Sequence, residues 1–350
     1  EAPPPEAPPP EAPPEAPPEI PPEIPPEIPP EIPPEIPVET PPEVATFNVK
    51  DFGARADGVT ADEGAFRAAM RAATFQGGAV YVPSGTYRFK STLELANGAK
   101  FVGDGPNRSV IVGKEGFGFM MVALNLSGVS VSGLGFSSPT YNEDLHGLYV
   151  SGCNSPRLSD LKMVNLGVGI KTGSGAIGKN YVVDRIVTES CAYGLFISHL
   201  NGAEWSSMNI NALKLDSFKG VDNHGIYIER EARNMVFNDV VVSGGGGYAL
   251  QLYAHGGTSS GLTFNRTVLD ATNGRYPLVI SDAFSNIRFN DTTLINPRSE
   301  GYLINWWSPT DVVFDGVTGY GGAQLQGKRS FSGSPKSSCV KNGTYTGTKL

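Results

Sequence analysis

Apolar and polar residues return in the same order four times between Asn234 and Gln326. Val236-Phe237-Asn238-Asp239 is followed by Thr263-Phe264-Asn265-Arg266, Arg288-Phe289-Asn290-Asp291 and Val313-Phe314-Asp315-Gly316, with the phenylalanines 27, 25 and 25 residues apart. A second apolar run follows each: Ala249-Leu250-Gln251-Leu252, Pro277-Leu278-Val279-Ile280, Tyr302-Leu303-Ile304-Asn305 and Ala323-Gln324-Leu325. A period of this size means stacked units, each too small to bury its apolar face alone. Within a unit, apolar residues alternate over four or five positions between Gly, Asn and Ser turns, which predicts two or three short strands. That is too little for a four-stranded propeller blade, and the leucine pattern of a leucine-rich repeat is missing. The expected fold is all-β, a parallel β-helix with one unit per coil.

The same frame runs backwards. Val131, Leu158, Val183 and Trp205 occupy the phenylalanine column at steps of 27, 25 and 22, and an insert lengthens the step from Trp205 to Phe237 to 32. The second column holds Gly147-Leu148-Tyr149-Val150, Gly169-Ile170-Lys171-Thr172, Gly194-Leu195-Phe196-Ile197 and Gly225-Ile226-Tyr227-Ile228. About eight coils therefore span 129–326, and at roughly 4.8 Å per stacked strand they extend about 40 Å. Upstream, Phe47–Gly53 reads as a strand and turn. Thr60-Ala61-Asp62-Glu63 reads as a capping box that starts a helix with Phe66, Ala69, Met70 and Ala73 on one face, ended by Gly77-Gly78. A β-helix leaves one end of its core open, and this helix is expected to cap it.

Composition divides the chain at residue 43. Residues 1–43 repeat Glu-Ala-Pro-Pro and then Glu-Ile-Pro-Pro, with eleven glutamates and no other charged residue. Proline fixes φ and removes donors, so a disordered or polyproline II spacer is expected there, followed by one β-helix domain over 44–350. The formal charge of −8 is set by this segment; the remainder has 24 acidic and 27 basic residues. That balance gives no reason to expect nucleic acid as a partner. No apolar run is long enough to cross a membrane as a helix. The sequence opens on Glu1 rather than Met, from which a trimmed leader, an upstream domain or a cell-surface anchor before the spacer is expected. Cys153, Cys191 and Cys339 have no metal-ligand spacing and do not align for a bridge, so buried free thiols are expected.

Asn48-Val49-Lys50-Asp51-Phe52-Gly53-Ala54, Asp57-Gly58-Val59, Asp62 and Gly77-Gly78-Ala79-Val80-Tyr81-Val82-Pro83-Ser84-Gly85-Thr86-Tyr87 resemble the entry segment of the pectate-lyase-like superfamily. That superfamily includes polygalacturonases, rhamnogalacturonases, mannuronan C5-epimerases and phage tailspike depolymerases. The resemblance implies a right-handed parallel β-helix with an N-terminal capping helix. It also implies an acidic extracellular polysaccharide as partner, hence a secreted or cell-surface protein. It leaves the chemistry open, because the entry segment builds the fold.

Candidate chemistry lies on the outward positions of the second column. Tyr149, Lys171, Phe196, Tyr227, Gln251 and Val279 are expected to face outward, then Ser151, Ser198, Glu229, Tyr253 and Ser281, with His199, Arg230, His255 and Asp282 just beyond. Aromatic, imidazole and guanidinium groups suit a groove for sugar rings and carboxylates better than a plain solvated face. His199, Tyr227, Glu229, Arg230 and His255 are the candidate catalytic residues. Lys171, Tyr149, Tyr253, Asp282, His224 and Trp306 are the candidate substrate contacts. Tyr193-Gly194-Leu195 is similar to the start of the epimerase motif Tyr-Gly-Phe-Asp-Pro-His, with Phe196 and Ser198 at the Asp and His positions and the imidazole one residue later at His199. The consecutive-coil motifs of polygalacturonases are absent, with Asn223-His224-Gly225 at most a remnant, as are the aspartate cluster and paired arginines of pectate lyases. No cofactor emerges from the residues; calcium stays open, without a motif to hold it. Three readings stand side by side: lyase or epimerase chemistry on uronates with a His base and a Tyr acid, hydrolysis by Glu229 and Asp282, and a non-catalytic glycan-binding rod.

Overall fold

Four phenylalanine rings lie one above another through the core. Phe237, Phe264, Phe289 and Phe314 stack at centroid separations of 4.7, 4.8 and 5.0 Å with planes within 12° of parallel, and Trp205 continues the stack at 5.8 Å. The separations match the strand spacing because each ring comes from the same place on successive coils. This computed structural model describes residues 45–113, 116, 118–173, 175–213, 223–297, 303–321, 340–341 and 344–346. The spacer over 1–43, Cys339 and the run Ala323–Leu325 lie outside the described residues.

The column is continuous in register. Phe47, Val80, Phe101, Val131, Leu158, Val183, Trp205 and Phe237 are successive Cα partners, and every described ladder is parallel. Each later coil has three strands: Tyr248–Leu252, Ser259–Asn265 and Val268–Asp270 in one, and Tyr276–Ser281, Phe284–Asn290 and Thr293–Asn296 in the next. The fold is an all-β parallel solenoid of about ten turns with a helix near its N-terminal end, as expected.

The corners explain the polar residues after each aromatic. Asp160, Arg185, Ser207, Asp239, Arg266, Asp291 and Gly316 all take positive φ at equivalent places, turning the chain from one face to the next. Asn and Asp tolerate this region better than most residues. Just before the corner, Asn290 donates to Asn265 and Asn265 to Asn238, both at 2.8 Å. Amides that would otherwise be stranded at a bend thus pair from coil to coil.

The helix spans Glu63–Gln76 and buries Phe66, Ala69, Met70 and Ala73. Phe66 sits edge-on to Tyr87 and Phe89 at 5.1 and 4.9 Å and lies parallel to Phe101, the third residue of the inner column. Its start differs from the expected capping box. Thr60 bonds Asp57 instead, and the Asp62 carboxylate accepts the backbone N–H groups of Arg55, Ala56 and Arg88. The residue that looks like a helix cap therefore ties the helix to the first coils.

Candidate active site

One sheet carries the candidate chemistry. Tyr149, Lys171, Phe196, Tyr227, Gln251, Val279 and Asn305 are successive partners along it. Their inward neighbours Leu148, Ile170, Leu195, Ile226, Leu250, Leu278 and Ile304 are buried. At about 4.8 Å per step this outer row runs about 29 Å.

At its upstream end the Lys171 ammonium lies 4.9 Å from the Phe196 ring centroid and 5.9 Å from that of Tyr149. Ring quadrupoles on both sides hold the cation in place. Tyr227 meets Phe196 edge-on at 4.9 Å and is 9% exposed. Burial first, and the Glu229 carboxylate next, push its phenol well above the ordinary range. The hydroxyl therefore keeps its proton at neutral pH. Glu229 is half-buried and Arg230 exposed, with the Arg230 guanidinium donating to the His255 carbonyl at 3.2 Å. The His199 backbone N–H donates to the Arg230 carbonyl at 3.1 Å. His199, Arg230 and His255, expected on neighbouring coils, are thereby linked in one chain of contacts.

His199 turns a corner at φ 49°, and its ring is oriented by Ser198. The Ser198 hydroxyl donates to the carbonyl of Gly173 at 2.9 Å, and its oxygen lies 3.2 Å from His199 Nδ1. A hydroxyl has one proton; when it goes to Gly173, the oxygen accepts from an Nδ1–H and Nε2 is the ring nitrogen left open as an acceptor. Gly173 is required here: with φ +60°, a Cβ on it would fall 2.1 Å from the Ser198 carbonyl and 2.7 Å from the His199 side chain. Thr172 fixes Ser198 further, accepting its backbone N–H and donating to its carbonyl, each at 3.0 Å. A base oriented by a third group is the arrangement general-base catalysis requires.

Several expected surface positions are buried instead. Ser151, Ser198 and Ser281 are 5%, 1% and 1% exposed, and Val279 is 1% exposed. Small side chains between large neighbours are simply covered. Trp306 is a correction: it is 7% exposed, pairs with Ile280 and packs near Phe314 in the core. The apolar run aligns Ile304, not Leu303, with Leu278, and one residue of slip exchanges the two faces of a strand. The outward indole belongs to Trp307, which pairs with Ser281 and is 47% exposed. Tyr253 is half-buried between His255 at 4.8 Å and Trp307 at 5.3 Å, while Asp282 is exposed in the turn after its strand. Two clefts are lined by residues other than these, one of about 540 Å³ at Thr140–Asp144 and one of about 320 Å³ at Phe136 and Lys162.

His224, expected as a substrate contact, faces the protein. It is 2% exposed, stacks on Tyr248 at 5.0 Å, and its Nδ1 accepts the Tyr248 backbone N–H at 3.1 Å. His146 does the same for the Val168 N–H at 3.1 Å. Both supply the acceptor that a parallel ladder lacks at that point. Burial pulls His224 down to about 3 from its ordinary 6.5. The neutral ring thus stabilises the fold fully above about pH 6.5, and that contribution is lost as pH falls towards 3, by up to about 1.4 kcal/mol per unit. Melting temperature should fall through this window and fall less steeply in His224→Gln, whose amide still accepts the N–H. Equal slopes would assign the acid sensitivity elsewhere.

The sequence profile of the family described as rhamnogalacturonase A/epimerase, pectate lyase-like, matches residues 46–294. The chain belongs to that family. Within this pectate lyase-like group it is distantly related to mannuronan C5-epimerases. It is 32% identical over 158 residues to mannuronan C5-epimerase AlgE1 of Azotobacter vinelandii, covering 43% of this chain and 11% of that protein. It is 49% identical over 57 residues to alginate lyase 7 of the same organism, covering 16% of this chain and 7% of that protein. The chain thus spans about a tenth of the length of these curated relatives. The A-module of mannuronan C-5 epimerase AlgE4 from Azotobacter vinelandii superposes with a TM-score of 0.66 over 87% of this chain and 98% of the module, at 15% identity. At that identity the likeness is one of fold.

Proposed function

We propose that this pectate lyase-like protein is a secreted or cell-surface enzyme acting on an acidic polysaccharide, through proton abstraction at C5 of a uronate unit. The observation that carries the reading is the His199 imidazole, its Nδ1 3.2 Å from the Ser198 hydroxyl oxygen, on the coil next to Tyr227 and Arg230. Arg230 or Lys171 neutralises the C6 carboxylate, which makes the C5 proton acidic enough to remove. His199 Nε2 takes that proton, and the electron pair left on C5 spreads into the paired carboxylate. Tyr227 then gives its proton either to C5 from the opposite face, inverting that centre, or to the glycosidic oxygen as the C4–O bond breaks. The first outcome is epimerisation and the second is elimination, and the catalytic groups are the same. Relatives named for alginate epimerisation and alginate cleavage support this pairing of outcomes.

The test is incubation with alginate and polygalacturonate. Ultraviolet absorbance reads the unsaturated end left by elimination, NMR reads changed epimer ratios, and reducing ends without absorbance read hydrolysis. Epimerisation or elimination is the expected outcome. Hydrolysis would move the chemistry to Glu229 and Asp282, and no change in any acidic glycan would reject the enzyme reading.

A further inference from the structure

Beyond the reacting groups, the downstream end of the same face holds an aromatic cluster. Trp307 and Tyr253 come from coils two steps apart, whose backbones are separated by about 10 Å. Their ring centroids are nevertheless only 5.3 Å apart, at 89° to one another. They lean together across Ser281, the small residue of the intervening coil. His255 closes the other side of Tyr253, also edge-on, at 4.8 Å and 86°. The Trp307 indole N–H donates to Asn305 at 2.9 Å, which fixes the ring's orientation.

We propose that Trp307, Tyr253 and His255 form a stacking platform for a pyranose ring of the polysaccharide, binding the chain without entering the chemistry. The acidic nature of that chain rests on the functional reading above; the platform itself recognises the apolar C–H face that any pyranose presents. Aromatic rings meet such a face with their electron-rich surface, and a ring already held in position loses little freedom on binding. Core packing does not account for the cluster, because Trp307 is 47% exposed. Polar satisfaction does not account for it either. The Ser281 hydroxyl is sealed at 1% exposure with no hydrogen-bond partner among the described residues, an unfavourable arrangement for a pair of rings serving stability alone. The exposed Phe75 and Val59 lie on the helix and on the strand Asp57–Ala61, and Leu124, exposed beside Ser151 at the opposite end of this face, is a lone aliphatic residue.

The protein supplies its own probe. Of its three tryptophans, Trp205 and Trp306 are buried and Trp307 is exposed, so iodide quenching of intrinsic fluorescence reads Trp307. Titration of the full chain with oligomannuronate and oligogalacturonate should protect this fluorescence from iodide. Trp307→Ala should weaken binding at least about tenfold by calorimetry, raise KM and leave kcat near wild type, with the melting temperature unchanged. Trp307→Phe should recover most of the affinity. Binding of Trp307→Ala within twofold of wild type would overturn the platform while leaving the acidic-polysaccharide reading intact. Protection by neutral oligosaccharides but not by acidic ones would keep the platform and overturn that reading. If no oligosaccharide of either kind protects Trp307, the platform is rejected.

Discussion

His199→Asn should reduce turnover on the acidic polysaccharide at least about a hundredfold, the scale on which an acid–base group contributes. Asparagine is chosen because residue 199 sits at φ 49°, a conformation asparagine tolerates, so the corner survives while the basic nitrogen is lost. Tyr227→Phe should produce a loss of the same order by removing the donor and keeping the ring that packs on Phe196. Arg230→Ala should do likewise by leaving the carboxylate unneutralised. Ser198→Ala separates position from chemistry: the imidazole remains, its hydrogen-bond partner at Nδ1 goes, and kcat should fall, but less than in His199→Asn. Initial rates with circular dichroism on each variant decide the matter. Near-wild-type rates in the first three variants would place the reaction elsewhere on the solenoid.

Phe264→Ala should cost about 3–5 kcal/mol of stability. The ring is 1% exposed and lies between Phe237 and Phe289, so truncation opens a cavity and breaks two stacked contacts at once. Neighbouring rings cannot slide into the gap, because each is fixed to its own coil by a parallel ladder on both sides. Val236→Ala, on the same sheet but 36% exposed, should change stability by no more than about 0.5 kcal/mol. Urea unfolding followed by tryptophan fluorescence measures both. Comparable losses in the two variants would mean that the aromatic column is not the main source of cohesion.

The column, the three-stranded coils and the helix face at Phe66, Ala69, Met70 and Ala73 were legible in the chain. All depend on the period of apolar residues, which burial imposes directly on sequence. Lys171, His199, Tyr227, Glu229, Arg230, Tyr253 and His255 were assigned to four consecutive coils for the same reason, and the ladders pair those coils in that order.

Other features needed the tertiary structure. Trp306 and Trp307 are adjacent and chemically identical; only the register of Ile304 on Leu278 decides which one enters the core and which faces out. That register was hidden because Leu303 and Ile304 are both apolar and both buried, so either fits the pattern. His224 and His199 likewise look alike in sequence. One ring accepts a backbone N–H from the following coil, and the other is oriented by Ser198 through Gly173, 25 residues earlier in the chain. The chain thus determined by itself what repeats: where apolar side chains must be buried, and so the coil and its core. Tertiary structure decided which polar atoms meet, because hydrogen bonds are directional, and a partner one coil away leaves no periodic mark on the sequence.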